Sequence, residues 1–342
     1  MPRGSNHAAA GSIPLPRGSV TLSPTMTAYR GRFAPSPTGA LHLGSAAAAL
    51  FCAAATLQAR GTLVLRMEDI DRPRVVPGAA EAILDDLAWL GLRWDESPAQ
   101  GGPFAPYVQS ERFALYEAAL EALAARGLVY ACDCSRAEIA RVASAPHAGE
   151  EGPRYPGTCR PFGMQKRDFK RPPAVRLAVP DDERARVTVH DRVLGTYTEH
   201  VGHGTGDFVL RRGDGVFAYQ LVVVVDDLHM QITDVVRGGD LASSSARQTL
   251  LARLLGGTPP TFAHVPLLVA DDGSRLAKRD KLMPLRDHRD AGRDPRALVR
   301  AIARAYGHDL GDADAPLEAL AASLDWSRLP RESVRVSAIV AR

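Results

Sequence analysis

Apolar residues recur along this chain at two spacings, and the alternation between them predicts its elements. A short run over residues 29–34 is closed by Pro35, and Pro35, Pro37 and Gly39 punctuate a turn. Residues 46 to about 60 form an alanine-rich helix with Leu50, Phe51 and Leu57, with Ser45 as its N-cap and Gly61 as its stop. Residues 62–67 lack a helical period and read as a buried strand. Strand, helix and strand of this length predict a right-handed parallel crossover. Helical spacing returns at Ala79, Ile83, Leu87 and Leu90, and again at Phe113, Tyr116, Leu120 and Leu123, where Gly127 ends it. A short strand covers 128–131. Residues 132–206 are rich in Pro, Gly and Arg with β-type runs at 174–179 and 186–189, and read as an insertion in a parallel sheet. Beyond them, residues 221–225 are an apolar run ending in Asp226 and Asp227, and 232–236 is another buried strand. Residues 241–255 are a helix capped by Gly256, and 261–269 the last strand before a loop over 271–280. Leu298, Ile302 and Ala305, then Leu317, Leu320 and Leu324, mark two closing helices. The class is α/β.

Composition narrows this picture. The 342 residues admit one large or two medium domains with ample core, and 45% hydrophobic with 24% charged residues is ordinary for a soluble protein. No apolar stretch reaches about 18 residues, so no membrane span is expected. Residues 1–27, rich in Gly, Pro and Ser without an apolar h-region, read as a disordered or vector-derived tail, with Met26 as an alternative initiator. Four cysteines without a signal peptide point to a reducing, cytoplasmic compartment. A net charge of +3 does not by itself imply a nucleic-acid partner. Its distribution is more telling: residues 275–304 hold ten Lys/Arg against four Asp/Glu, and 160–176 hold six against one, patches that suit a phosphate backbone.

Two constellations carry chemistry. His42 and Gly44 sit where the first strand feeds the helix, whose N–H groups and positive dipole end favour phosphate; Gly44 permits close approach and His42 can donate to a phosphoryl oxygen. Cys132, Cys134 and Cys159 supply three thiolates, which with a fourth ligand would close a tetrahedral structural zinc site; His147 is one candidate for the fourth on chemistry alone. Cys52, inside the alanine helix, reads as an inert core thiol.

Arg32-Phe33-Ala34-Pro35-Ser36-Pro37-Thr38-Gly39 followed by His42-Leu43-Gly44-Ser45 resembles the first signature of class I glutamyl-tRNA synthetases. Met67-Glu68-Asp69-Ile70-Asp71-Arg72-Pro73-Arg74, Trp89-Leu90-Gly91-Leu92-Arg93-Trp94-Asp95-Glu96 and Tyr107-Val108-Gln109-Ser110-Glu111-Arg112 continue the likeness, which runs from about residue 29 to about 285. Ser274-Arg275-Leu276-Ala277-Lys278-Arg279 stands where that family carries its second signature. Lys278 matches the second family lysine, while Arg275 replaces the first and Ala277 the central serine.

The resemblance implies a Rossmann-like, doubly wound parallel sheet with a zinc-containing insertion and a short helical C-terminal region. The expected divisions are a tail at 1–27, the two halves of the catalytic domain at 28–131 and 207–270, the insertion at 132–206, and the second-signature loop with helices at 271–342. It implies ATP, accompanied by Mg²⁺, at His42, Gly44 and Lys278, with His42 and Lys278 catalytic. An α-amino acid needs an acid for its ammonium and a cation for its carboxylate, and a glutamate side chain needs a further cation. The resemblance assigns these to Arg32, Phe33, Ala34, Pro35, Ser36, Glu68, Tyr219 and Arg237. Arg237 is favoured for the side-chain carboxylate, since a guanidinium fork holds one bidentately; the division of roles with Arg32 stays open. The zinc set it implies is Cys132, Cys134 and Cys159 with Tyr155 as fourth ligand.

About 60 residues follow Asp280, where full-length members carry a long helical anticodon-binding region. The chain therefore resembles the truncated branch of the family, the glutamyl-queuosine tRNA(Asp) synthetases. That branch implies a cytoplasmic monomer that activates L-glutamate with ATP and esterifies it to queuosine at the wobble position of tRNA(Asp). The alternatives are a short true glutamyl-tRNA synthetase and a non-catalytic tRNA-binding relic.

Overall fold

Strand β1 (Arg30–Phe33) feeds helix α1 (Leu43–Gln58), which returns through β2 (Thr62–Leu65), parallel to β1 with Arg32 opposite Val64. This is the opening crossover of a computed structural model that describes residues 28–142, 154–274 and 284–340. The tail at 1–27, His147, and Arg275, Ala277 and Lys278 of the second-signature loop lie outside the described residues.

Helices α2 (Ala79–Trp89) and α3 (Phe113–Ala125) lead to β3 (Val129–Cys132) and α4 (Arg136–Val142). Four strands follow: β4 (Ala174–Leu177), β5 (Arg186–Asp191), β6 (Gly195–His200) and β7 (Val209–Arg211). The chain then alternates through α5 (Tyr219–His229), β8 (Asp234–Gly238), α6 (Ser245–Leu254), β9 (Thr261–Val265) and β10 (Leu268–Val269). It ends with α7 (Leu285–Asp290), α8 (Pro295–Ala305), α9 (Pro316–Ser323) and β11 (Val334–Arg335).

Six strands form the central sheet in the order β2-β1-β8-β9-β5-β6, parallel except for the β5–β6 hairpin. Of the stretch 132–206, β5 and β6 extend this sheet, whereas β4 pairs antiparallel with β3 and β7 in a three-stranded sheet. Side chains alternate across a strand, and two cores result. Leu63, Leu65, Val236 and Ala263 face one core with α1, α8 and α9; Val64, Val235 and Phe262 face the other with α3, α5 and α6. The sheet is thus doubly wound. Its order reverses between β1 and β8, and ligands of such sheets bind at the carboxyl ends of the strands at that point.

Local chemistry differs from expectation at four places. The N-cap of α1 is His42, three residues ahead of Ser45, because the imidazole itself accepts the Ser45 N–H. Its C-terminal stop uses Arg60 at φ 50°, with Arg60 N–H to Leu57 O and Gly61 N–H to Thr56 O, a Schellman closure. Gly61 serves close approach instead, since a Cβ there would stand 2.3 Å from Tyr29 O. The apolar run 221–225 is helical: residues 220–227 are buried, and a helix enclosed on all sides can be apolar all round despite its valines. Finally, 261–269 is two strands, because Pro266 between them has no N–H to continue a ladder; β10 pairs with β11 instead.

Candidate amino-acid, nucleotide and metal sites

His42 caps α1 in extended conformation (φ −97°, ψ 162°), with Nδ1 accepting the Ser45 N–H at 3.2 Å and Nε2 3.0 Å from Ser45 Oγ. An accepting Nδ1 leaves the proton on Nε2, which here donates to Ser45 Oγ and could serve a ligand oxygen only by exchanging that partner. The first turn of α1 holds no acidic residue that would repel an anion. A Cβ on Gly44 would approach the His42 ring to 3.2 Å, so glycine leaves that turn open. Leu285, which follows the second-signature loop, donates its N–H to Leu41 O at 2.7 Å, and Pro284 bridges His42. The backbone leaving that loop is therefore fastened to the first signature.

The residues assigned to the amino-acid end lie at the switch point. Arg32 on β1 is 4% exposed and directs Nε and Nη2 at Asp227, at 3.2 and 3.4 Å. Arg66, fully buried just past β2, bridges Asp227 at 2.8 Å and Glu68 at 2.8 Å. Burial alone would raise the Asp227 carboxyl, but Arg32 and Arg66 together outweigh it and hold it below the usual carboxylate range. Glu68 goes the other way: burial raises it above that range against the pull of Arg66 and Arg32. A buried carboxylate in that condition gains from an added cation such as an ammonium. Phe33, Ala34, Pro35 and Ser36 form the turn beside it, where Pro35 O accepts the Glu68 N–H at 3.0 Å and Phe33 O the Arg66 N–H at 3.1 Å.

Arg237, on β8 and 4% exposed, aims each of its five N–H donors at a neutral acceptor. These are His264 Nε2 at 3.0 Å, Gln248 Oε1 at 2.8 Å, Tyr219 Oη at 3.5 Å, Ser245 Oγ at 2.9 Å and Leu241 O at 3.1 Å. Among the described residues no carboxylate contacts it. Burial pulls its pKa down, and the charges around it include Arg32, Asp227 and Glu68. Arg32, Glu68, Tyr219 and Arg237 are therefore brought to one place, with His42 and Gly44 at the adjoining helix end. Arg66, Asp226, Asp227, Gln248 and His264 were not singled out from sequence as site residues. A charged residue closing an apolar strand was the available signal for Arg66, and paired aspartates closing an apolar run were the signal for Asp226 and Asp227. Asp226, one residue from Asp227 on α5, lies 3.6 Å from Arg66 Nε and ties Arg112 (2.7 Å), Gln109 (2.9 Å) and Tyr116 (3.0 Å) together.

The third site closes around Cys132, Cys134 and Cys159, whose sulfurs lie within 4.8 Å of one another. Tyr155 Oη stands 3.3 Å from Cys132 Sγ and 3.5 Å from Cys134 Sγ, and the Cys134 and Cys159 sulfurs are 3.5 Å apart. Ligands at zinc bond lengths and tetrahedral angles sit about 3.5–3.8 Å from one another, so the four atoms fit such an ion. Arg176 stacks 4.1 Å over the Tyr155 ring, and Asp133 accepts from Arg167 at 2.8 Å and from the Lys170 N–H at 3.0 Å. Cys52 is buried in α1, and burial pushes its thiol up to about 12. The basic run 160–176 is largely paired: Arg160 with Asp181, Arg167 with Asp133, and Lys170 and Arg171 with Glu138.

Residues 28–314 match the family model "tRNA synthetases class I (E and Q), catalytic domain". The chain is similar to a glutamyl-Q tRNA(Asp) synthetase of Symbiobacterium thermophilum, 48% identical over 315 residues that cover 90% of this chain and 96% of that protein. It is 50% identical over 267 residues to one from Nitratidesulfovibrio vulgaris, covering 77% of this chain and 82% of that protein. Among solved structures, the glutamate-tRNA synthetase of Elizabethkingia anophelis superposes with a TM-score of 0.75 at 28% identity, over 90% of this chain and 68% of the other. The doubly wound sheet, the cluster at its switch point and these likenesses agree, and the chain belongs to the class I (E and Q) tRNA synthetases and, within them, to the glutamyl-Q tRNA(Asp) synthetases.

Proposed function

We propose that this chain activates L-glutamate with ATP and transfers the glutamyl group to queuosine at the wobble position of tRNA(Asp), acting as a cytoplasmic monomer. The observation that carries the amino-acid half is Arg237, a buried cation with only neutral partners, set near Glu68, whose carboxyl burial holds above the usual range despite its Arg66 bond. That pairing suits a ligand with an ammonium at one end and a carboxylate side chain at the other. The queuosine acceptor is supported by the names of relatives matched along up to 96% of their length. Among the described residues no helix is long and apolar enough to cross a membrane.

In this reading Glu68 takes the ammonium, and Arg237 the side-chain carboxylate. Arg32, held by Asp227, steadies the α-carboxylate, and the turn 33–36 with Tyr219 lines the pocket. An α-carboxylate oxygen attacks the α-phosphorus of ATP, the bond from that phosphorus to the bridging oxygen breaks, and pyrophosphate leaves. No general base is required, since the nucleophile is already ionised. His42 Nε2–H and the α1 N-terminus meet charge developing on the phosphates, with Gly44 giving access. Lys278, assigned on sequence, neutralises the departing pyrophosphate, and Mg²⁺ enters as part of the ATP complex. A ring hydroxyl of queuosine then attacks the adenylate carbonyl; AMP leaves and the hydroxyl proton passes to solvent. Zinc held by Cys132, Cys134, Cys159 and Tyr155 would cross-link the loop between β3 and β4.

Labelled glutamate tests the acceptor. Transfer should occur to tRNA(Asp) only when it contains queuosine, and the label should stay with the anticodon fragment after nuclease digestion. Label on the terminal adenosine of a glutamate tRNA would make this an ordinary glutamyl-tRNA synthetase, and no activation at all would make it a binding relic.

A further inference from the structure

We propose that His264 is the positioning residue that aims the Arg237 guanidinium, and that Asp191 holds His264 in the one tautomer able to do so. The proposal rests on Arg237 as the receptor for the substrate's side-chain carboxylate. His264 on β9 stands directly opposite Arg237 on β8 in the parallel ladder. Arg237 Nε–H donates to His264 Nε2 at 3.0 Å. Nε2 must then present a lone pair, so the ring proton resides on Nδ1, and Nδ1 lies in hydrogen-bonding contact with Asp191 Oδ2. The other Asp191 oxygen accepts the N–H groups of Val193 and Leu194 at 2.9 and 2.8 Å, so the turn after β5 pins the carboxylate. All three side chains are buried: His264 at 1%, Arg237 at 4% and Asp191 at 6% exposure.

The chemistry explains why a histidine stands between the two charges. A carboxylate touching Arg237 would neutralise it and compete with the substrate's own carboxylate. A neutral imidazole satisfies Nε–H while leaving the positive charge available, and it moves the aspartate one ring further off. With Nε fixed, the fork can no longer turn about its last bonds. Nη2 is then directed at Ser245 and Leu241, and Nη1 at Gln248 and at Tyr219, the longest bond of the set. Tyr219 is also the group whose electrostatic neighbours include both Glu68 and Arg32. The edge of the guanidinium left most loosely bound is thus the edge turned toward the amino-acid site. Burial lowers the His264 pKa, the Asp191 bond pulls it up and the Arg237 charge down, and the net lowering keeps the ring neutral near pH 7.

Asp191→Asn is the sharpest test, because it is isosteric and its amide oxygen can still accept from Val193 and Leu194. Its NH₂ would donate to His264 Nδ1 and drive the ring proton to Nε2, where it would oppose the Arg237 Nε–H. Glutamate-dependent ATP–pyrophosphate exchange should show a KM for glutamate raised roughly 10- to 100-fold, the scale of one hydrogen bond to a charged group. The KM for ATP should stay unchanged, and discrimination against glutamine should fall. His264→Leu should behave likewise, while His264→Gln, which can present an oxygen where Nε2 stood, should recover much of the glutamate KM. Thermal melts verify that each variant is folded. An unchanged glutamate KM in folded Asp191→Asn overturns the proposal, as does a parallel rise in the ATP KM. Arg237→Gln separates the two layers. If it raises the glutamate KM while Asp191→Asn does not, only the positioning role fails; if it leaves that KM unchanged, the reading of Arg237 fails as well.

Discussion

Replacing Asp227 by Asn removes one charge from the centre of the amino-acid site. In the wild type its Oδ1 accepts from Arg66 at 2.8 Å and from Arg32 at 3.2 Å, and its Oδ2 from Arg32 at 3.4 Å. Arg66 retains Glu68 at 2.8 Å and Asp226 at 3.6 Å, whereas the Arg32 guanidinium has its hydrogen bonds with Asp227. Removing one partner from a buried ion pair costs about 3–5 kcal/mol, and the surviving Arg66 partners argue for the lower end. With a urea dependence of about 3 kcal/mol per molar, the unfolding midpoint should fall by about 1 M. Arg32 would also lose its anchor, so the glutamate KM in exchange assays should rise. The pH dependence has a definite sign. The Asp227 pKa is depressed on folding, so its stabilisation is complete above the ordinary Asp value of about 3.9 and fades as pH falls through the lower folded value. The gap between wild-type and variant midpoints should therefore shrink on acidification below about pH 4. A midpoint change under about 0.3 M at pH 7, with glutamate KM unaltered, would refute the reasoning.

Further outcomes follow from the other sites. Glutamate-dependent ATP–pyrophosphate exchange should proceed without tRNA; a strict tRNA requirement would remove the self-contained pocket. His42→Ala and Lys278→Ala should each slow that exchange roughly 10²–10³-fold, the scale for losing one preorganised donor to the transition state, and a variant with an unchanged rate takes its residue out of the mechanism. Metal analysis should find about one zinc per chain. Cys159→Ser should lose both zinc and thermal stability, because binding energy at a structural ion is folding energy. Cys52→Ser should keep the metal, and Tyr155→Phe should weaken its retention; full retention there would point to a different fourth ligand.

The opening crossover was legible because its cues are local: a proline-closed strand, a small-residue helix and an apolar strand agree with one another. Arg32 and Glu68 could be named because signature stretches carry them, Tyr219 and Arg237 because the family resemblance assigns them, and the four converge at the switch point. What escaped depends on contacts distant in the chain. His42 and not Ser45 is the cap because the helix begins at Leu43, which places Ser45 inside the first turn with its N–H bonded to the imidazole. Four successive valines sit in α5 because both sides of that helix are covered, which no window of sequence reveals. Asp191 and His264 are 73 positions apart, and neither stands in a motif. The basic run 160–176 looked free because its partners Asp133, Glu138 and Asp181 lie before and after it.

Helix α1 constrains how this chain can vary. Ala46, Ala47, Ala49 and Ala54 are wholly buried, and Phe51 meets Tyr306 on one side at 5.5 Å between ring centres. Each alanine sets the distance between the helix and the sheet or the C-terminal helices. A larger side chain at any of them would have to push a neighbour aside, at a cost of typically 1–3 kcal/mol. The helix whose N-terminus is proposed to meet phosphate is thus unable to tilt or slide by small mutational steps. Altered use of the nucleotide end must arise in the turn 35–44, whose Ser36, Ala40 and His42 are exposed, while α1 persists as a fixed abutment. In a saturation mutagenesis screen the helix should appear as a block of intolerance to size, sharply bounded at His42 and at the partly exposed end from Leu57 onward.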